Sequence, residues 1–210
     1  WGSAWTGWRP LLRLGLPCLG ITMAEWTTFE LNGVAASFTN PTDLAAYSIT
    51  NQIATLAWTV ISGLASAICV VVGNAVGGGN VGEAKRSAVI GMGLVAAVSL
   101  TSAVVILSRP AQLASLFTDD RKVQARVGDL SPILAVYQFL DALVSAVNAI
   151  ARGIGRQRFV ALFTSFSLLV VGVPLGMTMA FKAGQGVGWL MLGPTLGIGF
   201  SLAASADTSA

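Results

Sequence analysis

Six apolar runs, each near the length an α-helix needs to cross a bilayer, follow one another along this chain of 210 residues. About 20 residues of helix span about 30 Å of hydrocarbon, and a helix in lipid satisfies its own backbone N–H and C=O groups where no water can. The expected fold is therefore all-α: a polytopic membrane protein with a six-transmembrane-helix bundle over residues 11–205. Composition agrees, since 54% hydrophobic residues with only 10% charged exceed what one soluble core can hide, and mean hydropathy is +0.75. The expected spans are 11–37, 44–72, 86–108, 128–151, 159–181 and 188–205.

The breaks between runs have recognisable chemistry. Thr39-Asn40-Pro41-Thr42-Asp43 predicts a turn that caps the next helix, and Gly77-Gly78-Gly79-Asn80 stops the second span. Arg109-Pro110 closes the third. A polar connection runs through Asp119-Asp120-Arg121-Lys122, with a short interfacial helix expected over residues 111–116 and Ser131-Pro132 early in the fourth span. Residues 1–10 carry Trp1, Trp5, Trp8 and Arg9, which suits a cytoplasmic or interfacial segment at headgroup level. The chain opens at Trp1 and reads as part of a longer protein, with residues 206–210 as a cytoplasmic tail.

A net charge of +3 and a pI near 9.2 do not indicate nucleic acid here, because the cations sit at the ends of apolar runs. Arg9, Arg13, Lys85, Arg86, Arg152, Arg156 and Arg158 collect on one side; Arg109, Arg121, Lys122, Arg126 and Lys182 collect on the other. The richer side is placed in the cytoplasm. Cys18 and Cys69 lie in apolar segments without metal or disulfide spacing and read as small core residues. Histidine is absent, so proton exchange near neutral pH falls to carboxylates.

Carboxylates do occur deep in the apolar runs. Glu25 and Glu30 lie in the first span and Asp141 in the fourth. An acid at a helix centre costs about 2.5–3.5 kcal/mol on insertion scales, so each marks a functional site unless it faces a partner. Glu25 is 12 residues beyond Arg13 and Asp141 is 11 before Arg152, distances of about 18 and 16 Å along a helix that put both near the midplane. Glu30 lies about 7.5 Å further out and rotated by about 140° from Glu25. One stripe cannot carry both glutamates. Either the first span borders a wide cavity, with a bend at Pro17, or one glutamate anchors to a neighbouring helix. Polar glue between helices is the competing reading, but three acids on two spans exceed what packing needs.

Aromatic and amide side chains surround these acids: Trp26 and Phe29 beside the glutamates, Tyr137 one turn from Asp141, and Tyr47 with Asn51 on the second span. A carboxylate with aromatic faces receives an organic cation well, although each aromatic taken singly is more often packing. Gly172-x-x-x-Gly176 and Gly193-x-x-x-Gly197 predict close helix approach. The glycine runs at Gly77 and Gly153 complete neither phosphate-binding fingerprint. No nucleophile and base pair or metal cluster stands out for an enzyme.

These residues carry a resemblance to the multidrug and toxic compound extrusion family, in its eukaryotic branch. The matching segments are Leu14-Gly15-Leu16-Pro17, Glu25-Trp26-Thr27-Thr28-Phe29-Glu30, Leu44-Ala45-Ala46-Tyr47-Ser48-Ile49, Val72-Gly73-Asn74-Ala75-Val76-Gly77-Gly78-Gly79, Leu116-Phe117-Thr118-Asp119-Asp120, Ala151-Arg152-Gly153-Ile154-Gly155-Arg156-Gln157 and Gly172-Val173-Pro174-Leu175-Gly176. The resemblance implies a twelve-helix antiporter of two six-helix bundles, with this chain as the C-terminal half and an N-terminal six-helix half as its partner. It also implies that Glu25, Glu30 and Asp141 fall where the family carries its membrane-embedded acids. The implied activity is efflux of organic cations, drugs or other xenobiotics in exchange for a proton or sodium, in a plasma or organelle membrane, with no cofactor beyond the coupling ion. Departures are Val71 for a frequent arginine, Ile61 for a common proline and Thr27 for a second tryptophan. The alternative is a channel or a non-transporting membrane subunit whose acids line a pore or pair with a partner's cations.

Overall fold

The computed structural model describes residues 8–156, 166–182 and 187–207. Within them every regular element is helical. The order is α1 (Trp8–Ser37), α2 (Pro41–Gly77), α3 (Val81–Ser108), α4 (Pro110–Ser115), α5 (Arg121–Gly153), a π-helical segment (Ser167–Gly172), α6 (Val173–Lys182) and α7 (Gly188–Asp207). Among the described residues, α2, α3 and α5 are long and apolar enough to cross a membrane by themselves. Residues 159–165, the start of the fifth expected span, lie outside the described residues, as do Trp1, Trp5 and the terminal residues 208–210.

Two of the helix starts are built by one device. The Asn40 side chain accepts from the Asp43 N–H at 2.8 Å while its Nδ2 donates to Asp43 Oδ2 at 3.0 Å. Asn80 repeats this with Glu83, at 3.2 Å and 3.1 Å. Each reciprocal pair satisfies an orphan backbone donor and puts an acid in the positive first turn. Gly79 takes a φ of 75° between them, a conformation open to glycine. α2 has 37 residues, about 55 Å of helix, and is therefore longer than the hydrocarbon thickness of about 30 Å.

Helix α5 is the centre of the bundle, packed against α2, α3, α4 and α7. Its Ala142, Ala146 and Ala149 are fully buried against Ile61, Ala65, Ile68 and Val72 of α2 and Val95 of α3. Small residues let the backbones close up: a Cβ on Gly153 would stand 3.0 Å from the Cys69 carbonyl and 3.2 Å from the Gly73 nitrogen. Cys69 itself is half-buried with a free thiol; the Cys18 side chain lies outside the described residues. A second, larger cluster joins Ile53, Leu130, Leu134, Leu168, Leu190 and Ile198. At the far end of the chain the two glycine pairs face each other. Gly172 and Gly176 lie against Gly193, and Gly197 lies against the Ser167 carbonyl, which makes them the contact between the π segment, α6 and α7.

α2 runs to Gly77, past the expected 72, and α3 starts at Val81, before the expected 86; three further differences from the sequence expectation concern α1, α5 and the fifth span. α1 begins at Trp8, so the last residues of the expected interfacial segment form its first turn. α5 begins at Arg121, seven residues before the expected 128, because Asp120 caps it by accepting from the Lys122 N–H at 2.8 Å. Arg126 in that added stretch donates from Nε to Asp43 Oδ1 at 2.6 Å, tying the start of α5 to the start of α2. The third difference is the π segment in the fifth span: the Val173 N–H reaches back five residues to the Leu168 carbonyl, immediately before Pro174. α4, at residues 110–115, matches the expected interfacial helix to within one residue.

Candidate substrate and ion cavity

A cavity of about 280 Å³ opens between α1, α2 and α5. Its α2 wall is one stripe, because Leu44, Ser48, Asn51, Thr55 and Trp58 follow one another at steps of four, three, four and three residues, the repeat of one helix face. Tyr47 and Ala54 flank that stripe. α1 contributes Trp26, Thr28, Phe29, Glu30 and Gly33, and α5 contributes Tyr137, Gln138 and Asp141. Leu168 of the π segment and Ile198 of α7 also reach it.

The structure thus brings Glu30, Asp141, Trp26, Phe29, Tyr47, Asn51 and Tyr137 to one cavity. Glu25 is part of the α1 backbone, but its side chain lies outside the described residues, and with it the expected levelling of Glu25 with Asp141. Glu30 is exposed and Asp141 half-buried. Phe29 and Tyr137 meet edge to face, with centroids 6.1 Å apart and planes at 86°, which fixes both rings in the floor of the cavity. Trp26 and Trp58 are 56% and 36% exposed, so two broad aromatic faces rim the open side.

Sequence reasoning passed over Thr28, Ser48, Thr55, Trp58 and Gln138. The signal for the α2 members was present: a polar and aromatic residue every three or four positions in an otherwise apolar span. Gln138 is 1% exposed and its Nε2 has no hydrogen-bond partner among the described residues, so the lining of the cavity that holds Asp141 also holds an unpaired donor. Among the described residues no group of three acids or thiols is placed to hold a metal ion. Two carboxylates, two phenols, two amides and several aromatic faces in one concave site suit a small cation with an apolar body.

Residues 17–178 match the MatE family profile. The rabbit (Oryctolagus cuniculus) multidrug and toxin extrusion protein 2 is 33% identical over 186 residues, which are 89% of this chain and 31% of that protein. The human (Homo sapiens) protein 2 is 30% identical over 186 residues, again 89% of this chain and 31% of the relative. The chain therefore spans about a third of the length of these curated relatives. Among solved structures, the eukaryotic MATE transporter AtDTX14 superposes with a TM-score of 0.88 at 22% identity, over 94% of this chain and 45% of that one. The bent form of the Vibrio cholerae MATE transporter VcmN gives 0.87 at 17% identity, over 95% and 45%. At these identities the superpositions describe the fold alone.

Proposed function

The chain belongs to the MatE family, and from that premise we propose that it forms the acid-bearing half of a secondary transporter that expels small organic cations in exchange for protons or sodium. The observation that carries this reading is the placing of Glu30 and Asp141, on different helices, in one cavity with Tyr47, Tyr137 and Trp58. The same carboxylates hold either the coupling cation or the organic cation. Arrival of one then favours departure of the other, a coupling that is reciprocal by linkage. Aromatic faces on the rim add about 0.5–2 kcal/mol of cation–π attraction while tolerating varied ligand shapes.

Cavity size supports a companion bundle. Drug-sized ligands occupy pockets of about 300–1,000 Å³, and the space enclosed here, about 280 Å³, falls just short of that range. The exposed Glu30, Trp26 and Trp58 are the residues a second bundle would cover. Without such cover a charged group would face lipid. Rocking of the two bundles about the cavity would alternate its access between the two sides of the membrane.

The test uses the complete protein in vesicles with an imposed pH or sodium gradient. Gradient-driven, saturable uptake of a fluorescent organic cation is expected, and it is lost in Asp141→Asn and in Glu30→Gln while both variants remain folded. Unchanged gradient-driven transport in both variants, or a non-saturating conductance, would refute the proposal; the second result describes a channel.

A further inference from the structure

Behind the Phe29–Tyr137 pair lies a second, smaller cavity that the transport reading does not use. Both rings, with Tyr47, Asn51 and Ala54, line it as they line the larger one, so the two are neighbours across a shared wall. Its own residues are Asn32 of α1 and Leu190, Met191 and Pro194 of α7. Asn32 is 0% exposed, and among the described residues neither its Oδ1 nor its Nδ2 has a hydrogen-bond partner. Buried side-chain amides are almost always satisfied by protein or by ordered water.

The surroundings define what satisfies this one. Pro194 sits inside α7 and has no N–H to give the Leu190 carbonyl four residues earlier, and both residues line the cavity together with Asn32. Asn51, half-buried in the shared wall, supplies a third polar group. No carboxylate or cationic side chain lines the space, which argues against an ion. Its volume is about 10 Å³, the room that one water molecule requires, and a buried water needs two to four polar partners. We propose that this cavity is a one-water site, with the Asn32 amide, the Asn51 side chain and the Leu190 carbonyl as its partners. The water links α1 to α7 beside the acid-lined cavity, with which it shares Phe29 and Tyr137 as lining residues.

Hydroxyl-radical footprinting by X-ray pulses activates bound water where it sits, so a buried residue touching one is modified. Applied to the complete protein in nanodiscs, it should modify Met191, which is only 9% exposed. Asn32→Leu fills the site with an apolar chain of similar size and should abolish that modification, whereas Asn32→Ser keeps a hydroxyl and should retain it. An unmodified Met191 in the wild-type protein overturns the proposal whatever the variants do. Equal modification in folded Asn32→Leu overturns it, and so does loss in Asn32→Ser. If Asn32→Leu elutes as aggregate, modification of Met191 in both wild type and Asn32→Ser supports the site.

Discussion

Replacing Gly193 by alanine tests the tightest helix contact in the bundle. A Cβ built there would lie 2.6 Å from Gly176 Cα and 2.7 Å from Gly176 N, and closer still to the Gly172 carbonyl. Carbon atoms meet favourably at about 3.5–4.0 Å, so the two backbones would have to part by about 1 Å. All three obstructing atoms belong to main chain, and none can turn aside as a side chain would. Overpacking of this kind costs about 1–3 kcal/mol. Alanine also gains about 1 kcal/mol over glycine in a helix, and that gain must be removed from the comparison. Gly199, about one and two-thirds turns along the same helix, removes it, because a Cβ there meets nothing within 4 Å among the described residues. The difference between Gly193→Ala and Gly199→Ala isolates the steric cost. At about 2–4 °C per kcal/mol for a bundle of this size melting as one cooperative unit, a central cost of about 2 kcal/mol separates their melting temperatures by about 4–8 °C. Fluorescence-monitored melting of the purified complete protein, with both variants in one detergent, reads this directly. A Gly193→Ala protein that melts at or above Gly199→Ala would refute the packing argument.

Arg126→Ala breaks the pair with Asp43, whose two side chains are 34% and 12% exposed. Screening keeps such a pair near about 0.2–1 kcal/mol, so melting should fall by less than about 4 °C and the loss should shrink in high salt; a large, salt-independent loss would contradict a screened contact. Trp58→Ala removes an aromatic face from the cavity rim, and at about 1 kcal/mol of cation–π attraction it should raise the apparent KM for an organic cation about fivefold in vesicle transport. An unaltered KM would remove Trp58 from the site.

Much of this architecture was written in local chemistry. Asn40-Pro41 announces a helix start because side-chain capping acts within three residues, and Arg109-Pro110 ends a helix because proline lacks an N–H; Asn80 caps α3 in the same way, yet beside three glycines it reads only as a stop, and the expected third span starts at 86. The start of α5 escaped because Asp119, Asp120, Arg121 and Lys122 read as a solvated connection. What makes that stretch helical is partly non-local, since Arg126 finds Asp43 at the start of another helix. The π turn before Pro174 left no periodic trace, because one extra residue in a uniformly apolar run changes no pattern. At the cavity, acids and aromatics stood out against an apolar background. Gln138 did not: burial and a missing partner are properties of the packed bundle and have no signature in the order of residues.

The two faces of α5 explain why the cavity has one fixed wall. Asp141 and Ala142 are adjacent in sequence and project about 100° apart on a helix. The alanine face, with Ala146 and Ala149, is sealed into α2 and α3 without exposed atoms, so Tyr137, Gln138 and Asp141 are held against the α2 stripe by a dry interface that has no room to slide. Glu30 comes from α1, whose described side chains are exposed from Trp8 to Thr27 and buried at Thr28 and Asn32. Any displacement of α1 relative to α5 therefore changes the separation of the two carboxylates, and with it the joint hold on a cation that we propose for them.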